Sequence, residues 1–96
     1  MLTARETVDR HAQAAIEGKT DVAMSAIAPE AMSSLGAFAE KMSPVQPKGY
    51  EILGEADDGE HKVFRVKYSH ETGSVTVEST WALKGEAWKV IKVIVL

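Results

Sequence analysis

His11, Tyr50 and Tyr68 are the residues whose types could do chemistry together in this chain. An imidazole can take or give a proton near neutral pH. Two phenols converging on it can polarise a carbonyl, as a dehydratase or isomerase requires. His11 stands at the shoulder of a helical stripe of Val8, Ala12 and Ala15, where its ring either reaches the mouth of a cavity or bonds a carbonyl or water at a helix–sheet boundary. Tyrosines also serve as core residues with the hydroxyl at the rim. Proton abstraction from carbon needs a buried, tuned base, usually a carboxylate. The inner strand positions offer none, because Glu78 falls on the opposite face and Asp9 and Glu17 on the helix exterior. His11 and Tyr68 are the catalytic candidates that remain, and binding without turnover is the expectation.

Other chemistries find less support. The chain has no cysteine, which removes disulfides, thiol catalysis and cysteine zinc sites. His61 and His70 open and close one expected strand and so stand roughly 30 Å apart, and no HExxH or His-x-His spacing occurs; neither a metal nor another cofactor is expected. The acidic stretch Glu55, Asp57, Asp58, Glu60 lacks the ligand spacing of a calcium loop. Fourteen acids against eleven bases give a net charge of −3, which argues against a nucleic-acid partner. Lys62, Arg65 and Lys67 have Glu51, Glu60 and Glu78 to offset them. No run approaches the ~20 apolar residues that span a bilayer. The segment Met1 to Glu6 has no apolar stretch of the secretory kind, so a cytoplasmic location is expected.

These side chains must be positioned by a small set of elements. Ninety-six residues allow one domain, 1–96, with a helical part over 3–42 and a sheet part over 49–95. Thr3 and Glu6 form an S/T-x-x-E capping box, and Ala4, Val8, Ala12, Ala15 and Ile16 form one apolar stripe. Gly18 ends this helix. Thr20 or Asp21 caps a second helix carrying Val22, Ala23, Ala26 and Ile27. Pro29 opens a third, which buries Met32, Leu35, Phe38, Ala39 and Met42 around Gly36.

After the Ser43–Pro47 break, period-two alternation predicts four antiparallel strands, 49–56, 60–70, 74–83 and 87–95. A two-residue Thr72-Gly73 loop pairs Tyr68 with Val77, Val66 with Ser79 and Phe64 with Trp81. One face then collects Phe64, Val66, Tyr68, Val75, Val77, Trp81 and Leu83, opposite Arg65, Lys67, Thr76, Glu78 and Thr80. Tyr50 joins the apolar face if the Asp57-Asp58-Gly59 turn uses a three-residue loop. The last strand is apolar on both sides, with Trp88, Val90 and Ile94 on one and Ile91, Val93 and Val95 on the other. A strand apolar on both faces is covered on both, which predicts a homodimer through one of these two sets.

The closing Trp81-x-Leu83, then Gly85-x-x-Trp88-Lys89-Val90-Ile91, resembles the nuclear-transport-factor-2-like superfamily, in which a curved sheet closes round helices as a cone. Tyr50-Glu51-Ile52-Leu53-Gly54 before an acidic turn is similar to small bacterial domains of that superfamily. The resemblance implies an α+β fold with helices on the concave face of a four-stranded antiparallel sheet. Ala28-Pro29 leaves no room for the strand that larger members insert there, which puts a fully enclosed pocket in question. The superfamily hosts isomerases, dehydratases, hydrolases, cyclases, association domains and binding modules, so fold does not fix function. The expectation is a non-catalytic module binding a small apolar ligand or another protein, with a cavity lined by Phe38, Met42, Tyr50, Phe64, Tyr68, Ser79 and Trp81 and with His11 at its rim. The alternatives are a small cofactor-free isomerase, dehydratase or hydrolase acting on an apolar carbonyl or hydroxy compound, and a structural dimer with a filled core.

Overall fold

The structure, a computed structural model, describes residues 3–31 and 47–96. Helix α1, Ala4–Ile16, opens on the expected capping box: Glu6 N–H donates to Thr3 Oγ1 at 3.1 Å and Thr3 N–H to Glu6 Oε1 at 3.0 Å. Ala4, Val8 and Ala12 of the stripe are buried, and so is Ala14, which the stripe does not include. The helix stops because Gly18 takes φ +74°. That turn lets Gly18 N–H reach the Ala15 carbonyl and Lys19 N–H the Ala14 carbonyl, two bonds that close a Schellman cap.

Helix α2, Thr20–Ser25, takes Lys19 rather than Thr20 or Asp21 as its N-cap, and no side chain bonds there. The chain then lies against the sheet. Val90 N–H donates to the Ala26 carbonyl and Ala28 N–H to the Val90 carbonyl, each at 2.8 Å, around a parallel one-residue bridge between Ile27 and Val90. A single strand-like residue thus occupies the place where larger relatives of the fold were expected to hold an inserted strand. Pro29 opens a 3-10 turn, Pro29–Ala31. The third helix expected there, with Met32, Leu35, Gly36, Phe38, Ala39 and Met42, falls outside the described residues.

Strands β1 (Gly49–Asp58), β2 (His61–His70), β3 (Gly73–Lys84) and β4 (Ala87–Val95) form an antiparallel meander in chain order. Gly59 and Gly85 supply the positive φ in two of its turns. Three details of register differ from the sequence expectation. The β2–β3 loop is Glu71-Thr72, one residue earlier than expected. This moves every pair by two: Tyr68 faces Val75, Val66 faces Val77, Phe64 faces Ser79 and Trp81 faces Lys62. A shift of two keeps parity, so the apolar face survives. Leu83 is the exception, 43% exposed at the hairpin end.

The second detail is a bulge at Leu53. The β1–β2 turn has two residues, Gly59-Glu60, and Asp57 and Asp58 belong to β1. That loop alone would leave Tyr50 on the outer face. The extra residue between Ile52 and Gly54 restores the pairs Tyr50–Tyr68 and Ile52–Val66. The two-residue turn itself places Glu55 opposite Phe64 on the helix side, where it bonds Arg5 of α1 at 3.4 Å. An inner-parity carboxylate therefore exists, contrary to expectation, but at the sheet tip.

The third detail is a bulge in β4. Trp81 pairs with Val90 and Thr80 with Lys92, leaving Ile91 as the extra residue. The sets Trp88, Val90, Ile94 and Ile91, Val93, Val95 are therefore mixed by the structure. Trp88, Val90, Val93 and Val95 share the inner face, and Ile94 lies opposite Glu78 on the outer one. Phe64, Trp81, Val8 and Val90 are the largest fully buried side chains and mark the core between α1 and the sheet.

Candidate functional site

A cavity of about 80 Å³ lies between α1, α2 and the inner face of β2–β4. His11, Tyr68, Ser79 and Trp81 line it, and they are four of the expected site residues. Tyr50 and Phe64 are not in its lining. Phe64 is wholly buried in the core, and Tyr50 stands at the sheet edge, where its hydroxyl donates to the Asp9 carboxylate. Phe38 and Met42 lie outside the described residues. No carboxylate lines the cavity among the described residues.

Each lining group is held by its element. His11 lies one turn beyond Val8 on α1, and its ring meets Trp81 edge-on, with centroids 5.4 Å apart at 79°. Burial holds its imidazole below the usual histidine pKa, outweighing the Ala23 backbone that favours the charged form. A backbone group that favours imidazolium is a carbonyl accepting a ring N–H. Nδ1 is buried with no hydrogen-bond partner. Nδ1 is thus a buried polar atom whose hydrogen-bonding capacity is unmet. An unmet buried donor or acceptor costs about 1–3 kcal/mol.

Opposite this ring, Trp81 Nε1–H donates to Ser79 Oγ at 2.9 Å, a buried bond between residues two apart on one strand face. It fixes the indole edge and leaves the serine proton free to donate. Burial pushes the Tyr68 phenol up to about 12. The Tyr50 phenol is also pushed up to about 12, first by the bond to Asp9 and then by burial. Both phenols therefore stay protonated near neutral pH.

A second, wider opening of about 220 Å³ adjoins the first. Thr7 and Arg10 of α1, Val22 and Ser25 of α2, and Trp88 and Lys89 of β4 shape it, and His11 lines both spaces as their common wall. The sequence reading missed Ile27 and Val93 as site neighbours. The Ile27 contact depends on a long-range bridge and the Val93 position on a bulge, and neither leaves a local sequence signal.

Among the described residues, no cluster of three or more His, Asp or Glu side chains could hold a metal, and no helix is long and apolar enough to cross a membrane. No protein-family model matches the chain, and no curated protein sequence matches it. Two of the solved structures similar to it are NTF2-like proteins. One is an NTF2-like protein of unknown function from Shewanella baltica OS155, at 12% identity and TM-score 0.71 over 95% of this chain and 87% of that one. The other is an NTF2-like protein of unknown function from Burkholderia xenovorans LB400, at 19% identity and TM-score 0.64 over 96% of this chain and 80% of that one. The helix-capped, four-stranded meander of this chain is thus the nuclear-transport-factor-2-like fold expected from its closing hairpin.

Proposed function

We propose that the chain is a non-catalytic binding module whose inner cavity takes a small apolar guest carrying one hydrogen-bond donor. The observation that carries this reading is the unpaired Nδ1 of His11 beside a cavity otherwise walled by Val8, Ile27, Val66, Tyr68, Trp81 and Val90. With the proton on Nε2, a guest hydroxyl or N–H that meets Nδ1 removes the desolvation cost the ring now bears. Nδ1 itself is covered, so this reading requires the ring to turn about its Cβ–Cγ bond, at the expense of its edge-on contact with Trp81. The cavity is smaller than the ~150 Å³ space that admits benzene. A one-ring guest therefore also needs room on the groove side of His11.

Binding is favoured over turnover by the placement of the carboxylates. Asp9 is engaged by Tyr50 and Glu55 by Arg5, both away from the cavity. His11 has no carboxylate to orient its tautomer and stabilise a positive charge, as a catalytic histidine does. The test is a titration with phenol and indole, followed by Trp81 fluorescence in a Trp88→Phe background. Micromolar binding is expected, weakened up to about tenfold by His11→Ala, the value of one neutral hydrogen bond. Isomerase, dehydratase or hydrolase activity that disappears in His11→Ala or Tyr68→Phe with folding intact would replace this reading with an enzyme.

A further inference from the structure

The groove outside His11 has a chemistry of its own. It is formed where three elements meet: Thr7 and Arg10 from one face of α1, Ser25 from α2, and Trp88 and Lys89 from the start of β4. Two cations face it. The Lys89 ammonium is fixed by donating to the Ser25 backbone carbonyl at 2.6 Å, a neutral acceptor that leaves its charge uncompensated. The exposed Arg10 guanidinium has no ion pair among the described residues, although it lies close enough to Glu6, a turn earlier on α1, to favour that carboxylate's charge. Glu86 is the only acid in the groove lining among the described residues. The remaining wall is apolar, dominated by the half-buried Trp88 indole. Two cations beside an aromatic wall fit an organic anion better than an inorganic one, because the wall stabilises an apolar body.

We infer that this groove is the carboxylate-binding mouth of the inner cavity, so that the guest is a small amphipathic carboxylic acid. Its carboxylate meets Arg10 and Lys89, its ring or chain lies along Trp88, and its far end, bearing the hydrogen-bond donor, reaches His11. The inference rests on the inner-cavity reading for that far end and adds the class of ligand. About 220 Å³ of groove is enough for one aromatic ring with a short acidic arm, by comparison with the ~150 Å³ that hold benzene. Arg10 and His11 both line the groove, which puts the carboxylate contact and the donor contact within one space.

The experiment compares 4-hydroxyphenylacetate with its neutral counterpart 4-methylphenol by calorimetry on the intact chain at low salt. The acid should bind at least about tenfold more tightly, as expected for hydrogen bonds to charged groups, and should lose that advantage in high salt. Arg10→Gln, at an exposed position that does not endanger folding, should remove about fivefold or more of the acid's affinity and leave 4-methylphenol unchanged. Lys89→Gln should act in the same direction, with circular dichroism confirming the fold. Inorganic phosphate should not displace the acid at equal concentration. Equal binding of acid and phenol, or an acid affinity indifferent to Arg10→Gln, overturns the inference while leaving the cavity reading intact. Acid binding that requires Arg10 but ignores His11→Ala, with no phenol binding, keeps the groove as an anion site and overturns its link to the cavity. Binding of neither compound overturns both readings.

Discussion

β1 and β4 are the two edges of one sheet, and each carries a single extra residue, Leu53 in one and Ile91 in the other. The bulges do different work. In β4 the extra residue gathers Trp88, Val90, Val93 and Val95 onto the inner face, and the free edge is then closed by the Ile27 bridge to Val90. In β1 the extra residue swings Tyr50 and Ile52 inward but leaves Glu51 and everything from Leu53 to Asp58 exposed, with Glu51, Glu55, Asp57 and Asp58 along the edge. Charges and a bulge are a common defence against edge-to-edge pairing. One edge is thus built into the core and the cavity wall, and the other is kept soluble by charge. The contrast teaches that a bulge is a sorting device: one residue decides which of two side-chain sets a strand buries.

The largest test of this contrast lies at Trp81, which packs in the inner face next to β4 and is 1% exposed. Trp81→Ala should cost about 3–5 kcal/mol, a large part of the ~5–15 kcal/mol that holds a domain of this size. Urea unfolding reads it directly. A loss below about 1 kcal/mol would mean that the β4 side is not the packed side.

A paired comparison of the two edges comes next. Val90 is 1% exposed and Ile52 only half-buried, although both face inward. Val90→Ala should cost about 2 kcal/mol and Ile52→Ala about 1 kcal/mol or less, following the apolar area each removes from water. Equal losses would show that the two edges share the core evenly. On the outer face of β4, Ile94 is 40% exposed in the single chain, so Ile94→Lys should cost the isolated chain less than about 0.5 kcal/mol. We propose that a second copy of the chain covers this face. Sedimentation equilibrium should then give twice the chain mass for the wild type and the single mass for Ile94→Lys.

The two edges also hold their titratable groups in opposite ways. On the packed side, burial lowers the His11 pKa below its ordinary 6.5. Below that value the unfolded chain binds a proton that the folded chain resists. Stability therefore falls as the pH drops from about 6.5 toward the lower folded value, by at most about 1.4 kcal/mol per pH unit for one proton. His11→Leu should flatten that part of the stability–pH profile. An unchanged slope would place another group in charge of acid sensitivity.

The sequence reading succeeded where signals are local and failed where they are not. Thr3 and Glu6 announced the first helix because both halves of the capping box lie within four residues. Phe64, Val66, Tyr68 and Trp81 announced the inner face because parity survives a loop error of one residue at each end. The pairing itself did not survive: Trp81 meets Lys62, since nothing local chooses between Glu71-Thr72 and Thr72-Gly73 as the turn. The faces of β4 were misjudged because a bulge at Ile91 has no glycine or charge to mark it. At the site, His11, Tyr68, Ser79 and Trp81 were legible from stripe and parity alone. The groove with Arg10, Ser25 and Lys89 was not, because it depends on how α2 docks against β4 through Ile27.

The smallest effect belongs to the exposed edge. Tyr50 donates to the exposed Asp9 carboxylate at the solvent boundary, so Tyr50→Phe should cost less than about 1 kcal/mol. Its phenol is nevertheless held up to about 12 chiefly by that bond, whereas the Tyr68 phenol reaches about 12 chiefly through burial. A phenol raised above its unfolded value near 10 stabilises the fold below about pH 10 and loses that contribution as the pH climbs toward 12. Asp9→Asn removes the carboxylate and leaves burial untouched. Ultraviolet titration of the wild type should therefore show no phenolate step near pH 10, whereas Asp9→Asn should show one tyrosine ionising closer to 10 and the other still near 12. If both tyrosines moved together, the two edges would be one electrostatic environment. If neither moved, burial rather than the Asp9 bond would hold Tyr50, and the wet edge would be as dry as the packed one.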